Sequence, residues 1–256
     1  VSEPLLSVKN MKKTFQANGG MFSKKKFVHA VNDVSFDIYP GETFSLVGES
    51  GCGKSTTGKL IDHLITPDSG EIWFEGKEIS RLSEKEMRPL RSDIQMVFQD
   101  PLASFDPKMK IVDILTEPLI NFGKLKKSEK EAKARELLEM VELPGDFVDR
   151  YPHNMSGGQR QRISIAQALI TNPGFIIADE PVSALDVTIQ AQIMELLQKL
   201  QEEMNLSYLF ISHDINVVYY MCDRIMVMKD GRVIEIGETE DIFHDPKEAY
   251  TKSLLV

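Results

Sequence analysis

Short apolar runs recur along the chain and predict the strands of a sheet. Three of them, 43–47, 175–178 and 208–211, are continuous rather than alternating, which is typical of strands buried on both faces of a largely parallel sheet. Further strands are predicted at 6–8, 31–36, 71–74, 94–98 and 225–229.

Helical periodicity separates several of these runs. Helices are predicted at 54–65, 128–141, 158–171 and 188–204. Strands that alternate with helices indicate an α/β fold. Between positions 101 and 151 the pattern is mostly helical with no clear strand, so we expect a helical insertion into the α/β core there.

Composition limits the possible functions. The 256 residues are 42% hydrophobic, which is ample for a packed core. A net charge of −9 argues against non-specific nucleic-acid binding, which needs clustered Lys and Arg. Two cysteines, Cys52 and Cys222, make neither a disulfide framework nor a four-ligand metal site, so reduced thiols are expected.

No membrane-directed segment is predicted. The first residues lack a basic region followed by an apolar core, so no signal peptide is expected. Nowhere do about 18 apolar residues run together, so no segment is expected to span a bilayer. The lysines at 24–26 are expected to form an exposed loop tip.

A glycine-rich loop, the phosphate loop, follows the apolar run 43–47 and precedes a predicted helix. It consists of Gly48, Glu49, Ser50, Gly51, Cys52, Gly53, Lys54 and Ser55, and it matches G-x-x-x-x-G-K-[ST]. Backbone N–H groups of such a loop cradle phosphate oxygens. Lys54 is expected to reach the β- and γ-phosphates, Ser55 to ligate Mg²⁺ and Thr56 to contact the α-phosphate. The alternative is a turn that binds nothing.

Polar residues follow three other apolar runs. Asp179 and Glu180 end the run that begins at Phe175. At the carboxyl edge of a parallel sheet, Asp179 would hold Mg²⁺ and Glu180 would polarise an attacking water, although two such carboxylates alone can form a solvated turn. Gln99 and His213 follow strands where side chains can lean over a γ-phosphate, but each is more often structural.

A second phosphate site is predicted at 155–159, the signature turn. Ser156 is a plausible N-cap, and Gly157 and Gly158 expose N–H groups at the start of a helix, followed by Gln159. Because one chain already holds a complete phosphate loop, this second site is expected to serve the nucleotide of another subunit.

These motifs, in this order, resemble the nucleotide-binding subunits of ATP-binding-cassette transporters over essentially the whole chain. The match comprises GESGCGKST, Gln99 in MVFQDP, MSGGQ in place of the usual LSGGQ, FIIADEP, the segment 183–186 and His213. Met for Leu in the signature conserves volume.

The resemblance implies a fold and a set of roles. The fold class is α/β, a P-loop NTPase core of mostly parallel sheet flanked by helices, with an antiparallel β subdomain and a helical subdomain insertion. The single domain, 1–256, would comprise a core at about 1–100 and 156–240, a helical subdomain at about 101–155 and a tail at about 241–256.

The resemblance also assigns site residues. Phe15 would stack on adenine, unless it belongs to the core. Gln99 would sense Mg²⁺ and water, and His213 would contact the γ-phosphate. The segment from Ser183 to Asp186 would communicate with the opposite nucleotide site across the dimer. ATP and Mg²⁺ are the implied cofactors.

Partners follow from the same resemblance. Two nucleotide-binding subunits, identical or not, would sandwich two ATP molecules between Lys54 and Ser55 of one and Ser156 and Gly158 of the other. Transmembrane permease subunits would be contacted through Phe98 and the segment 101–105. A solute-binding protein would take part indirectly. This chain itself would lie at the cytoplasmic face of the membrane, as a peripheral subunit.

The tail and the signature context look like the oligopeptide and dipeptide branch of importers, and nickel importers share much of it. Two other classes stay open: a soluble cassette ATPase of DNA repair or translation, and a regulatory cassette that binds ATP without hydrolysing it. The first usually carries coiled-coil inserts or two cassettes. The second usually loses residues corresponding to Glu180 or His213, and both are present here.

Overall fold

The computed structural model describes residues 3–17 and 26–255, so the predicted loop tip at Lys24 and Lys25 lies outside the described residues. The strands of the described residues are β1 (Leu6–Ala17), β2 (Lys26–Ile38), β3 (Thr43–Val47), β4 (Ser69–Phe74), β5 (Lys77–Glu78), β6 (Ile94–Val97), β7 (Phe175–Asp179), β8 (Ser207–Ile211), β9 (Arg224–Lys229) and β10 (Arg232–Glu238).

The α-helices of the same residues are α1 (Lys54–Ile61), α2 (Glu84–Met87), α3 (Pro101–Ser104), α4 (Ile111–Asn121), α5 (Lys130–Met140), α6 (Gly157–Leu169), α7 (Val187–Met204), α8 (Ile215–Met221), α9 (Thr239–His244) and α10 (Ala249–Leu254). Short 3-10 turns lie at Leu90–Ser92, Lys127–Glu129, Gly145–Asp149 and Pro152–Asn154.

The chain divides into two compact units, 1–90 with 207–256, and 91–206. The first unit contains an antiparallel sheet in the order β2-β1-β4-β5. It also contains β3 between the parallel strands β8 and β9, with β10 antiparallel to β9. Every residue of β3 and β8 is buried, as the continuous apolar runs predict.

The second unit pairs β6 with β7 in parallel, so Val97 lies opposite Ala178. Helix α6 packs on β6 and on α4, α5 and α7. The buried side of α7 carries Ile193, Leu196, Leu197 and Leu200, which recur at the helical spacing of the predicted helix. The largely helical character of 101–151 is confirmed, whereas the predicted subdomain boundaries stay a prediction.

Several predicted boundaries are wrong. The helix predicted to reach position 65 ends at Ile61, because His63 adopts a left-handed backbone with φ of 57°. Strands β1 and β2 extend well beyond 6–8 and 31–36, and they pair with bulges along side chains that are exposed or half-buried at 12–16 and 27–30. Strands β5 and β10 have no predicted counterpart.

Candidate functional site

The phosphate loop lies between β3 and α1, as predicted. All three of its glycines have backbone conformations that other residues rarely adopt, with φ of 147° at Gly48, 82° at Gly51 and 112° at Gly53. A Cβ at Gly48 would lie 2.2 Å from the carbonyl oxygen of Met228, and one at Gly53 would lie 2.2 Å from that of Ala30. The path of this loop therefore depends on glycine at both positions.

Lys54 is buried within the loop that it follows. Its side chain is only 4% exposed, and its Nζ donates to the carbonyl oxygens of Gly48, at 2.7 Å, and Glu49, at 3.0 Å. A buried ammonium needs such acceptors. Ser55 and Thr56 are half-buried in the first turn of α1. The loop thus holds a positive charge at a helix N-terminus, which suits a phosphate ligand.

The two cysteines are free and buried. Burial raises the pKa of the Cys52 thiol, and the nearby Lys54 only partly opposes this effect. Burial also raises the pKa of the Cys222 thiol. Both side chains are therefore packed in the interior and form no disulfide, in agreement with the prediction of reduced thiols.

Phe15 and His213 also belong to the first unit. The Phe15 ring is 41% exposed, so the alternative that it belongs to the core is wrong. The Nζ of Lys13 lies 5.7 Å from the centre of that ring. His213 is exposed just after β8. Stacking of Phe15 on adenine and contact of His213 with a γ-phosphate stay predictions.

In the second unit, the structure brings Gln99 and Glu180 together. Asp179 is the buried last residue of β7, and the backbone turns at Glu180, where φ is 49°. The side-chain amide of Gln99 donates to Glu180 Oε2 at 2.9 Å and to Ser183 Oγ at 3.3 Å. The amide thereby orients the carboxylate that is predicted to polarise water.

The signature turn caps α6 as predicted. Ser156 Oγ accepts from the N–H of Gln159 at 3.3 Å, and the side chain of Gln159 accepts from the N–H of Ser156 at 3.0 Å. This is a capping box. Asp186 caps α7 in a similar way, because its Oδ1 accepts from the N–H of Ile189 at 3.1 Å. Both predicted contact segments are thus starts of helices.

Two features of the second unit escaped sequence reasoning. A Cβ at Gly158 would lie 2.5 Å from Ile189 Cγ2, so this glycine also allows α6 and α7 to pack closely. Gln161 is buried, and its side-chain nitrogen has no hydrogen-bond partner among the described residues. It lines a cavity with Gln99 and Arg160. Gln161 follows Gly157 by one helical turn, so the sequence could have indicated that the two residues lie on the same side of α6.

A family model described as "ABC transporter" matches residues 31–183. Oligopeptide transport ATP-binding protein OppF of Streptococcus mutans is 52% identical over 98% of this chain and 80% of the relative. Dipeptide transport ATP-binding protein DppF of Lactococcus lactis is 50% identical over 100% of this chain and 82% of the relative. The chain belongs to the ABC transporter family.

A solved ABC cassette gives the same answer for the fold. The dimeric, post-hydrolysis structure of the ATP-binding cassette MJ0796 bound to ADP and Pi has a TM-score of 0.81 and 34% identity, and covers 91% of this chain and 98% of its own. The predicted family, the fold class and the ATPase class are confirmed. The roles of individual site residues stay predictions. No helix of the described residues is long and apolar enough to cross a membrane.

Proposed function

We propose that this ABC ATPase energises the uptake of oligopeptides or dipeptides through a separate membrane permease. It would work at the cytoplasmic face of the membrane, paired with a second nucleotide-binding subunit that is either another copy or a similar chain. The observation that carries this proposal is about 50% identity, over nearly the whole chain, to relatives named as peptide-transport ATP-binding proteins.

The residues present fit ATP and Mg²⁺. The phosphate loop offers a buried ammonium at a helix N-terminus, held by Gly48 and Glu49. Ser55 of the first unit would offer Mg²⁺ a hydroxyl oxygen, and Gln99 and Asp179 of the second unit would offer it an amide and a carboxylate oxygen, which are donors that Mg²⁺ prefers. When bound, Mg²⁺ would neutralise charge that develops on the β- and γ-phosphates.

The protein's own residues would then act on the nucleotide. Lys54 would bind the β- and γ-phosphates, Thr56 the α-phosphate and Phe15 the adenine. Glu180, oriented by Gln99, would accept a proton from the attacking water. Ser156, Gly157 and Gly158 of one subunit would bind the γ-phosphate held by the other.

Loss of the γ-phosphate would open the dimer. ATP would contact both subunits of the closed dimer, so its cleavage would remove the differential affinity that favours closure. The permease would receive this movement at the segment after Gln99. There Asp100 caps α3 by accepting from the N–H of Leu102 at 3.0 Å, and the Leu102 side chain is exposed. A solute-binding protein would deliver the peptide on the opposite side of the membrane.

Glu180→Gln tests the proposed base. The variant should bind MgATP as the wild type does, but its rate of phosphate release should fall about 10²- to 10⁴-fold, the usual contribution of a general base. Glu203→Gln, an exposed position on α7, is the matched control and should hydrolyse ATP normally. Turnover of Glu180→Gln at the wild-type rate would remove Glu180 from this role.

The transported solute needs a separate test. We expect the chain to co-purify with a permease, and the reconstituted complex to take up labelled peptides in an ATP-dependent manner. Uptake of Ni²⁺ instead of peptides would place the chain with the nickel importers. Recovery without any permease would favour the soluble cassette class.

A further inference from the structure

The segment before α10 is hydrogen-bonded to the side-chain carboxylate of Glu235 on β10. Glu235 accepts hydrogen bonds from the backbone N–H groups of Lys247, at 2.8 Å, and Glu248, at 3.1 Å. One turn further, Thr251 is completely buried. These contacts fix the start of α10 and the direction of the residues that follow it.

Tyr250, on the first turn of α10, reaches the phosphate loop. Its hydroxyl accepts a hydrogen bond from the N–H of Glu49 at 3.4 Å. The Nζ of Lys229, the last residue of β9, lies 4.4 Å from the centre of the Tyr250 ring, within the range of a cation–π contact. The ring is thus held by Lys229 while its hydroxyl contacts the loop.

The backbone of Glu49 is also held through its carbonyl group, which contacts Lys54. The carbonyl oxygen of Glu49 accepts from Lys54 Nζ at 3.0 Å and from the N–H of Cys52 at 3.3 Å. If Lys54 moves to the phosphates of ATP, the Glu49 carbonyl gives up the lysine. The contact with Tyr250 does not depend on the lysine, because it uses the N–H of Glu49.

We propose that Tyr250 is a positioning residue of the phosphate loop, whose hydroxyl holds the Glu49 amide while Lys54 binds the phosphates of ATP. This inference rests on the proposed binding of ATP by residues 48–56. A loop that is ordered before binding loses less conformational entropy when the ligand arrives, so a contact that orders the loop increases the affinity. Through Tyr250, α10 would therefore contribute to nucleotide binding.

Tyr250→Phe tests this role, since it removes only the hydroxyl and keeps the ring beside Lys229. The loss of one hydrogen bond should weaken MgATP and MgADP binding by about two- to tenfold. In steady-state hydrolysis, KM for ATP should rise by a similar factor while kcat changes little. Tyr219→Phe, which removes an exposed hydroxyl bonded to Glu240, is the matched control and should bind MgATP normally.

Glu235→Gln provides an independent variant. An amide supplies only one acceptor oxygen for the two N–H groups of the tail, so α10 should loosen and the affinity for MgATP should fall as in Tyr250→Phe. Both changes act through the same contact of Tyr250 with Glu49. The double variant should therefore bind MgATP with the same affinity as the single variant that binds it less tightly. Thermal melting of each variant checks that the fold is intact.

The outcomes separate this inference from the proposed function. A wild-type protein that does not bind MgATP would overturn both. Wild-type binding with an unchanged affinity in Tyr250→Phe would overturn the role of Tyr250 alone. An equal loss of affinity in Tyr219→Phe, or additive losses in the double variant, would also contradict it.

Discussion

The phosphate loop and the signature turn are both glycine-rich starts of helices, yet they are built differently. In the phosphate loop, Gly48 and Gly53 have positive φ angles, and the cation of Lys54 is buried among loop carbonyls. In the signature turn, Ser156 is exposed, and its backbone is tied to Gln159 by a capping box. The two ends of the first are enclosed by the surrounding fold, whereas the second presents an exposed serine at a helix start.

This difference indicates different requirements for a ligand. A loop whose backbone is fixed by close neighbours can bind phosphate within one chain, because little order remains to be gained. A capped helix end offers N–H groups and a dipole but no enclosing walls. The signature turn therefore fits a ligand that another surface brings to it, in agreement with the proposed dimer.

The largest expected effect is on the free energy of unfolding, when a glycine of each region is replaced by alanine. Gly53→Ala should lower the free energy of unfolding by about 3 kcal/mol or more, because a Cβ in this left-handed conformation would overlap the carbonyl oxygen of Ala30. At Gly157 a Cβ would meet only a terminal methyl of Leu185 at 3.3 Å, so Gly157→Ala should change stability by less than about 1 kcal/mol. Urea unfolding measures both, and equal effects would contradict the comparison.

A smaller effect should follow from removal of the buried cation. Lys54→Ala should weaken MgATP binding by about 10- to 100-fold, the loss expected for a hydrogen bond to a charged group. Lys59→Ala, an exposed position on α1, is the control. Calorimetric titration of both variants tests this, and unaltered affinity in Lys54→Ala would remove the lysine from the phosphate site.

The smallest effect should be on the formation of the ATP-bound dimer. Ser156→Arg should leave the binding of ATP to one chain intact, but should weaken the ATP-bound dimer at least about tenfold, because a long side chain would block the open helix end. Sedimentation of the variant in a Glu180→Gln background measures this. Ser156→Thr keeps the capping hydroxyl and should still dimerise, and a dimer that persists in Ser156→Arg would refute the shared site.

The fold was predictable where burial is complete. Strands β3, β7 and β8 are buried along their whole length, so their apolar runs stand out in the sequence. Strand β10 is half-exposed, and its pattern is weak. The Asp230-Gly231 pair before it, with φ angles of 49° and 75°, is a hairpin signal that could have revealed it.

The site was predictable in its residue types but not in its contacts. The motif identifies Lys54, whereas the carbonyls that accept from it depend on the path of the folded loop. Gln99 and Glu180 lie 81 positions apart, and they meet because β6 and β7 are parallel neighbours that end at the same edge. Sequence alone does not specify which strands pair, so the contact of Gln99 with Glu180 could not be predicted.

The close approach of Gly158 to Ile189 has a mechanical consequence. Helices α6 and α7 are in close contact at this glycine, and each is capped at its first turn, by Ser156 and by Asp186. We therefore expect the two helices to move as one rigid unit. If a neighbouring subunit contacts the helix start at Asp186, as proposed, a displacement of that start would also move the helix start at Ser156.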